Sequence, residues 1–318
     1  MTRLPSLQDI PSLRSTVRRI VEIVVYKTRF LIHAVGFVYV GLQYHNAKGK
    51  AILNCYPRKP LPIYTAWAMA RVCGFTLKRS VGKKTLLFLD STYIPSSFLP
   101  AEAEQWINGT CRDIRKSTVA KKFEEVTHRR LFLDADFEGE MVEKSETNGV
   151  HSGRIVQGPL KERTQGHTYQ RLVHNVTADG TAVEDLRVVV VGTVIALVFQ
   201  KRRPIHRRFE EFSVDVKTLN PKSTFSHDEY DTLIRFARHI GLDFGEMDVL
   251  RDTYDKQLYV VDVNQTPVSP PITLPFRERV RALKIIGDVF EKEFLVQVAA
   301  QPRTAPESSV LIQPVAAR

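Results

Sequence analysis

The segment RVVVVGTVIALVFQ, residues 187–200, constrains the fold more than any other stretch of the chain. Two runs rich in β-branched residues flank Gly192-Thr193, which is the pattern of a β-hairpin. Two more β runs follow, DFGEMDVL and LYVVDVN, separated by the polar turn RDTYDKQ. Between the two hairpins lies SHDEYDTLIRFARHIG, in which Ser226 and Glu229 form an S-x-x-E capping box. Tyr230, Leu233, Ile234, Ala237 and Ile240 then keep helical spacing, and Gly241 suits a C-terminal cap. The stretch RERVRALKIIGDVFEKEFL reads as a final helix, and no internal repeat occurs. The expected fold class is α+β with prominent antiparallel sheet.

Upstream, PIYTAWAMARVCGF reads as a helix ended near Gly74, KTLLFLD as a strand and 116–127 as a polar helix. Further strands are expected around Lys144, Ile155 and Tyr169. At 318 residues the chain is long enough for about two domains. The punctuation suggests a smaller basic α/β domain at 1–105, a second at 106–296 that divides at 172/173, and a loose tail at 297–318. With 43% hydrophobic and 25% charged residues, the composition excludes wholesale disorder, collagen and coiled coil.

The net charge of +11 is concentrated at the front. Residues 1–100 carry 15 Lys+Arg and 3 Asp+Glu, hence +12, and the remaining 31 and 32 leave −1 for 101–318. An anion-attracting surface is therefore expected in the first third. That third has no recognisable nucleic-acid-binding pattern, so no specific nucleic-acid partner is expected, whereas weak contact with a membrane surface suits its basic, apolar character. The apolar stretch 31–43, LIHAVGFVYVGLQ, is too short for the roughly 20 residues of a membrane span and is expected to be a buried strand or helix. Cys55, Cys73 and Cys111 lack metal-like spacing, and with no convincing secretory signal they point to a reducing, cytoplasmic setting.

The acidic hairpin carries the strongest chemical pattern. Asp262 and Asn264 alternate onto one face of their strand. A turn centred on Asp255 places positions summing to 510 opposite each other, so Asp248 faces Asp262. Directly opposed side chains lie about 4.5–5.5 Å apart, and two like charges there destabilise a sheet unless a cation sits between them. Two carboxylates and an amide oxygen form a hard-oxygen set suited to Mg²⁺. A one-residue slip would send Asp248 to the other side and leave a solvated acidic face.

Together, GEMD and VDVNQTP resemble the C-terminal pattern of the ATP-grasp superfamily of carboxylate–amine ligases, which includes glutathione synthetase and D-alanine–D-alanine ligase. The resemblance implies two α+β subdomains gripping ATP, with Asp248, Asp262 and Asn264 holding the Mg²⁺ ions that bridge its phosphates. VEKSETNGVHSGRIV resembles the family's strand lysine and glycine-containing lid, which implies phosphate contacts from Lys144 and from the backbone at Gly149 and Gly153. YQRLV resembles the adenine-binding hinge, implying contacts from Gln170, Arg171, Leu172 and Val173, although family hinges usually carry Glu where Gln170 stands. EDLRVVVVG resembles the D-x-R-V-x-V-x-G segment whose arginine meets the γ-phosphate, here Arg187. DIRKS makes Lys116 a second phosphate lysine, and FQKRRPIHRRF places Arg202 or Arg203 near the reacting carboxylate. The resemblance covers roughly 106–275 and is shared with uncharacterised bacterial ATP-grasp proteins carrying Y-Q-R-L and D-V-N-x-T-P.

The implied activity is ATP- and Mg²⁺-dependent ligation: a carboxylate becomes an acyl phosphate, which an amine or another nucleophile attacks. Its partners would be ATP and anionic small-molecule or peptide substrates, in a homo-oligomer of the kind such ligases form. Plainer readings stand beside these. Lys144 could be a solvent lysine, Arg187 could pair with Asp185 or Glu184, the arginines at 202–208 could form a solvated loop, and His151 could be an ordinary loop residue. Asp90, in LFLDSTY, could touch a substrate or simply begin a turn. An ATP/Mg-binding module without ligase activity, and a basic nucleic-acid or membrane-surface binder, are the competing functions.

Overall fold

The computed structural model describes residues 13–44, 51–82, 84–150, 152–210 and 215–295, excluding the side chains of 13–23, 26, 43 and 44. The first twelve residues, the tail at 297–318 and His151 lie outside the described residues.

Helix α1 (Leu13–Tyr44) leads to β1 (Ile52–Pro57), α2 (Thr65–Cys73), β2 (Thr76–Arg79) and β3 (Thr85–Phe88). These strands form a parallel sheet in the order β2-β1-β3. Gly74 ends α2 as expected: at φ 75° its N–H meets the carbonyls of Ala70 and Arg71, a conformation that only glycine adopts without strain. Next come α3 (Lys116–Thr127), β4 (Phe132–Leu133), β5 (Gly139–Ser145), β6 (Arg154–Gly158) and β7 (His167–Arg171), whose strands form a small antiparallel sheet, β4-β7-β5-β6. β8 (Ala182–Val191), β9 (Val194–Pro204), β10 (Asp215–Leu219), α4 (Pro221–Thr224), α5 (His227–Ile240), β11 (Phe244–Arg251) and β12 (Leu258–Asn264) follow. Their strands make a five-stranded antiparallel sheet, β10-β9-β8-β11-β12, and α6 (Phe276–Phe290) follows, continued by a π-helical turn at Glu291–Leu295. The fold class is α+β with antiparallel sheet dominant, as expected.

The Gly192-Thr193 turn joins β8 to β9, and the Ser226–Glu229 capping box opens α5 with both of its hydrogen bonds. The apolar stretch at 31–43 is helical, but it is not buried as expected. His33 and Phe37 are buried, while Leu31, Ile32, Val35, Val38, Tyr39 and Leu42 are exposed. A helix buries only the stripe it docks with. Here that stripe includes Gly36 against Phe276 of α6 and Gly41 against the Arg71 carbonyl of α2. Among the described residues, no helix is long and apolar enough to cross a membrane.

The five-stranded sheet is covered on both faces. Val188, Val190, Val198, Met247 and Val249 pack with Phe123 of α3 and Phe236 of α5. On the inner face, Val189, Val191, Leu197, Phe199 and Phe244 pack with Met69 of α2 and with Leu283, Ile286 and Phe290 of α6. The core of the N-terminal α/β unit is therefore continuous with this inner face. Further along the same strands the inner-face positions turn charged: Arg187 on β8, Lys201 and Arg203 on β9, Glu246 and Asp248 on β11.

The register of β11 with β12 changes once. Near the turn Val249 pairs with Val260, yet Asp248 pairs with Asp262, so Val261 is an extra residue, a β-bulge. Carried on without it, the turn-side register would set Asp262 opposite Met247, on the face packed against α3 and α5. The bulge returns Asp262 and Asn264 to the inner face, opposite Asp248 and Glu246.

Candidate active site

A cavity of about 550 Å³ is lined by the charged end of the inner face, the β5–β7 sheet and the segments following β1, β3 and β12. Its wall includes Asp248, Asp262, Asn264, Arg187, Lys116, Lys144, Gly149, Gly153, Arg171, Leu172, Val173 and Arg203, all singled out in the sequence. Lys201, Glu246, Asp185 and Arg208 join them.

Arg187 does not pair with Asp185 or Glu184. Its Nε lies 2.9 Å and its Nη2 3.2 Å from the two oxygens of Asp248, and Nε is 3.5 Å from Glu246. Burial alone would raise Asp248, but the Arg187 and Lys201 charges hold its carboxyl well below the usual range. For Glu246 burial prevails over Arg187, and its carboxyl is pushed up to about 7. Burial also raises the Asp262 carboxyl, opposed by Lys116, whose Nζ stands 3.7 Å from Asp262 Oδ1. The first residue of α3 thereby reaches the end of β12.

Lys144, on β5, is not a free solvent lysine. Its Nζ donates to Gln170 Oε1 at 2.9 Å, and burial lowers its ammonium to about 8. Gln170 is fully buried, and its Nε2 donates to the Lys116 carbonyl at 3.1 Å. The side chain expected at an adenine base is thus turned inward, where it ties Lys144 to the start of α3; Arg171, Leu172 and Val173 reach the cavity instead. Gly149 has φ 75°, and a Cβ on Gly153 would lie 2.6 Å from the Phe209 ring, so both depend on being glycine.

Arg202 is not brought to the cavity. Strand alternation turns it to the opposite face, where it donates to Glu184 at 2.8 Å. Arg203 does line the cavity, held by Asp185 and by the carbonyls of Arg208 and Glu210. The neighbour that faces the site is Lys201, 7% exposed, with its ammonium lowered to about 8 by burial and by Arg187. Sequence reading missed Lys201 and Glu246. The available clue was the alternation from Leu197 and Phe199 through 201 to 203.

The described residues contain no cluster of three His, Cys, Asp or Glu able to cage a metal by themselves. The donors Asp248, Asp262 and Asn264 nevertheless fit Mg²⁺, which takes one or two protein carboxylates and completes its shell with waters and phosphate oxygens. The Asn264 side-chain oxygen already accepts from the Thr266 amide at 3.0 Å, which fixes its direction.

No family model matches the chain, and no curated protein matches it. Among solved structures it is similar to an ATP-grasp ligase, PsnB, complexed with a phosphomimetic variant of its minimal precursor, Mg and ADP. That similarity has 14% identity and a TM-score of 0.37, over 57% of this chain and 59% of the other. It is also similar to the macrocyclase MdnC, bound with precursor peptide MdnA, from Microcystis aeruginosa MRC, at 10% identity and TM-score 0.35 over 61% and 64% of the two chains. A RimK domain ATP-grasp protein from Sphaerobacter thermophilus DSM 20745 overlaps 75% of this chain and 98% of its own, with 10% identity and TM-score 0.43. The chain thus spans about three fifths of the length of PsnB.

Proposed function

We propose that the chain is an ATP- and Mg²⁺-dependent ligase that activates a carboxylate as an acyl phosphate and joins it to an amine or another nucleophile. The observation that carries this reading is the meeting of Asp248, Asp262 and Asn264 with Lys116, Lys144, Arg187 and Lys201 on one cavity. In this reading 106–296 grips the nucleotide and the front third contributes to the co-substrate end.

The chemistry brings a carboxylate to a triphosphate, anion to anion, so the protein must supply positive charge fixed in advance. Arg187, held by Asp248, and Lys201 beside it would face the transferring phosphoryl group. Lys144, steadied by Gln170, would bind the phosphates nearer the nucleoside. Mg²⁺, when bound by Asp248, Asp262 and Asn264, would neutralise phosphate charge. In this reading the lid around 145–153, of which Gly149 and Gly153 line the cavity, would cover the phosphates and keep water from the acyl phosphate.

Calorimetry with Mg·ADP tests the nucleotide site, and phosphate release over a panel of acids and amines tests ligation. Asp262→Ala and Lys144→Ala should each abolish Mg²⁺-dependent ATP turnover. Wild-type turnover in either variant would remove the assignment. Tight Mg·ADP binding with no turnover over the whole panel would leave a nucleotide-binding module.

A further inference from the structure

The cavity wall continues past Asn264 through Thr266 and Val268 to a carboxylate outside the nucleotide site. Asp90 follows the C-terminal end of β3, and Tyr64 follows the C-terminal end of the adjacent strand β1. The order β2-β1-β3 means that successive strands lie on opposite sides of β1. In parallel α/β sheets, ligands bind outside the carboxyl ends of strands, where the strand order reverses. The crevice at β1 and β3 is such a place, and it opens into the same cavity.

Two neutral hydroxyls position Asp90. Tyr64 donates its phenolic hydrogen to Oδ2 at 2.6 Å, and Thr266 donates its hydroxyl to Oδ1 at 3.3 Å. The segments carrying these hydroxyls are fastened together: the Thr65 amide donates to the Pro267 carbonyl, the Thr65 hydroxyl to Val268, and the Ser269 amide to Ile63. Other carboxylates on the cavity wall already have cations: Asp185 has Arg203, Glu246 and Asp248 share Arg187, Asp262 has Lys116, and Glu210 has Arg207. Asp90 is exposed, and among the described residues no Lys, Arg or His nitrogen forms an ion pair with it. A carboxylate offers about four acceptor positions, and the two hydroxyls use two of them. Ile63 and Val268, 40% and 43% exposed, provide apolar surface on the same wall.

We infer that Asp90, held by Tyr64 and Thr266, is the docking point for the ammonium group of an aliphatic primary amine, which becomes the nucleophile of the ligation once it has released one ammonium proton to solvent. Naming this co-substrate class rests on the proposed ligase reading; the cation site itself rests on the crevice and its carboxylate. Thr266 joins the two subsites, because its amide donates to Asn264 and its hydroxyl to Asp90.

The test uses the full chain with n-butylammonium as probe and n-butanol as its uncharged counterpart, followed by calorimetry or ligand-observed NMR. Butylammonium should bind the wild-type protein about tenfold or more tightly than butanol, the expected scale for a charge-assisted hydrogen bond. Asp90→Asn should remove that preference, and Tyr64→Phe should weaken it. Equal binding of the two probes by the wild-type protein would overturn the inference without any variant. So would an unchanged preference in Asp90→Asn, or displacement of butylammonium by Mg²⁺ alone. Mg·ADP binding by the wild-type protein is scored separately: its failure with butylammonium binding intact would sink the ligase reading and leave the cation site standing.

Discussion

Along the inner face of the five-stranded sheet, Val189, Val191, Leu197, Phe199 and Phe244 lie against α2 and α6, while Arg187, Lys201, Glu246 and Asp248 on the same strands line a cavity. Strands, hydrogen-bond ladder and face are shared; only the cover differs. Where helices close over the face, dispersion and apolar burial hold the strands. Where a cavity lies over it instead, charges of both signs replace them, arranged so that several cations face the open space. Stability belongs to the first end, and the proposed chemistry to the second.

Truncating the apolar end should have the largest effect on folding. Phe199 is fully buried, so Phe199→Ala should lower the unfolding free energy by about 3–5 kcal/mol in urea titrations. A smaller loss would mean that the α6 cover is looser than its packing indicates. At the charged end, Arg187→Ala removes the guanidinium that buried Glu246 and half-buried Asp248 share and should cost about 3 kcal/mol. Arg187→Ala combined with Glu246→Gln and Asp248→Asn should recover most of that stability without recovering Mg·ADP binding. Recovery of both would contradict the division between the two ends.

The smallest effect concerns the place where the two regions meet. Arg279 donates to His33 of α1, to the Pro270 carbonyl and to the Ser269 hydroxyl. Because a guanidinium can only donate, His33 Nδ1 must be the acceptor, and the ring is neutral. Burial, with Arg279 beside it, lowers the imidazole from 6.5 to about 4. Between those values the unfolded chain binds more protons than the native one, so stability falls as the pH falls. The contribution is complete above about 6.5 and is lost as the pH drops through about 4. His33→Gln should therefore lose less thermal stability than the wild-type protein on acidification to about pH 4. Parallel melting curves for the two proteins would show that His33 is not neutral and buried.

Much of this architecture was legible because it is local. The Gly192-Thr193 turn, the Ser226–Glu229 box and the Gly241 and Gly74 caps depend on a few adjacent residues, and each formed as read. The facing of Asp248 and Asp262 was also legible, although by a route the sequence does not display. The register at the site sums to 510 only because Val261 bulges; on the turn side the sum is 509. Lys201 was hidden in a run of basic residues, since its face follows from β9 continuing past Gln200 to Pro204. Arg202 was misplaced for the same reason. Exposure of the 31–43 helix was not legible at all: periodicity shows that a face is apolar and says nothing of what covers it.

The Val261 bulge makes residue count in β12 a parity device. Loss of that one residue would turn two oxygen donors into a hydrocarbon layer while leaving every neighbouring strand its full hydrogen bonding. The connection at 252–257, on the far side of the bulge, is tied down differently, by Asp252 and Asp255 accepting from Arg171. Length variation in descendants of this chain should therefore be excluded from the seven residues that follow that connection.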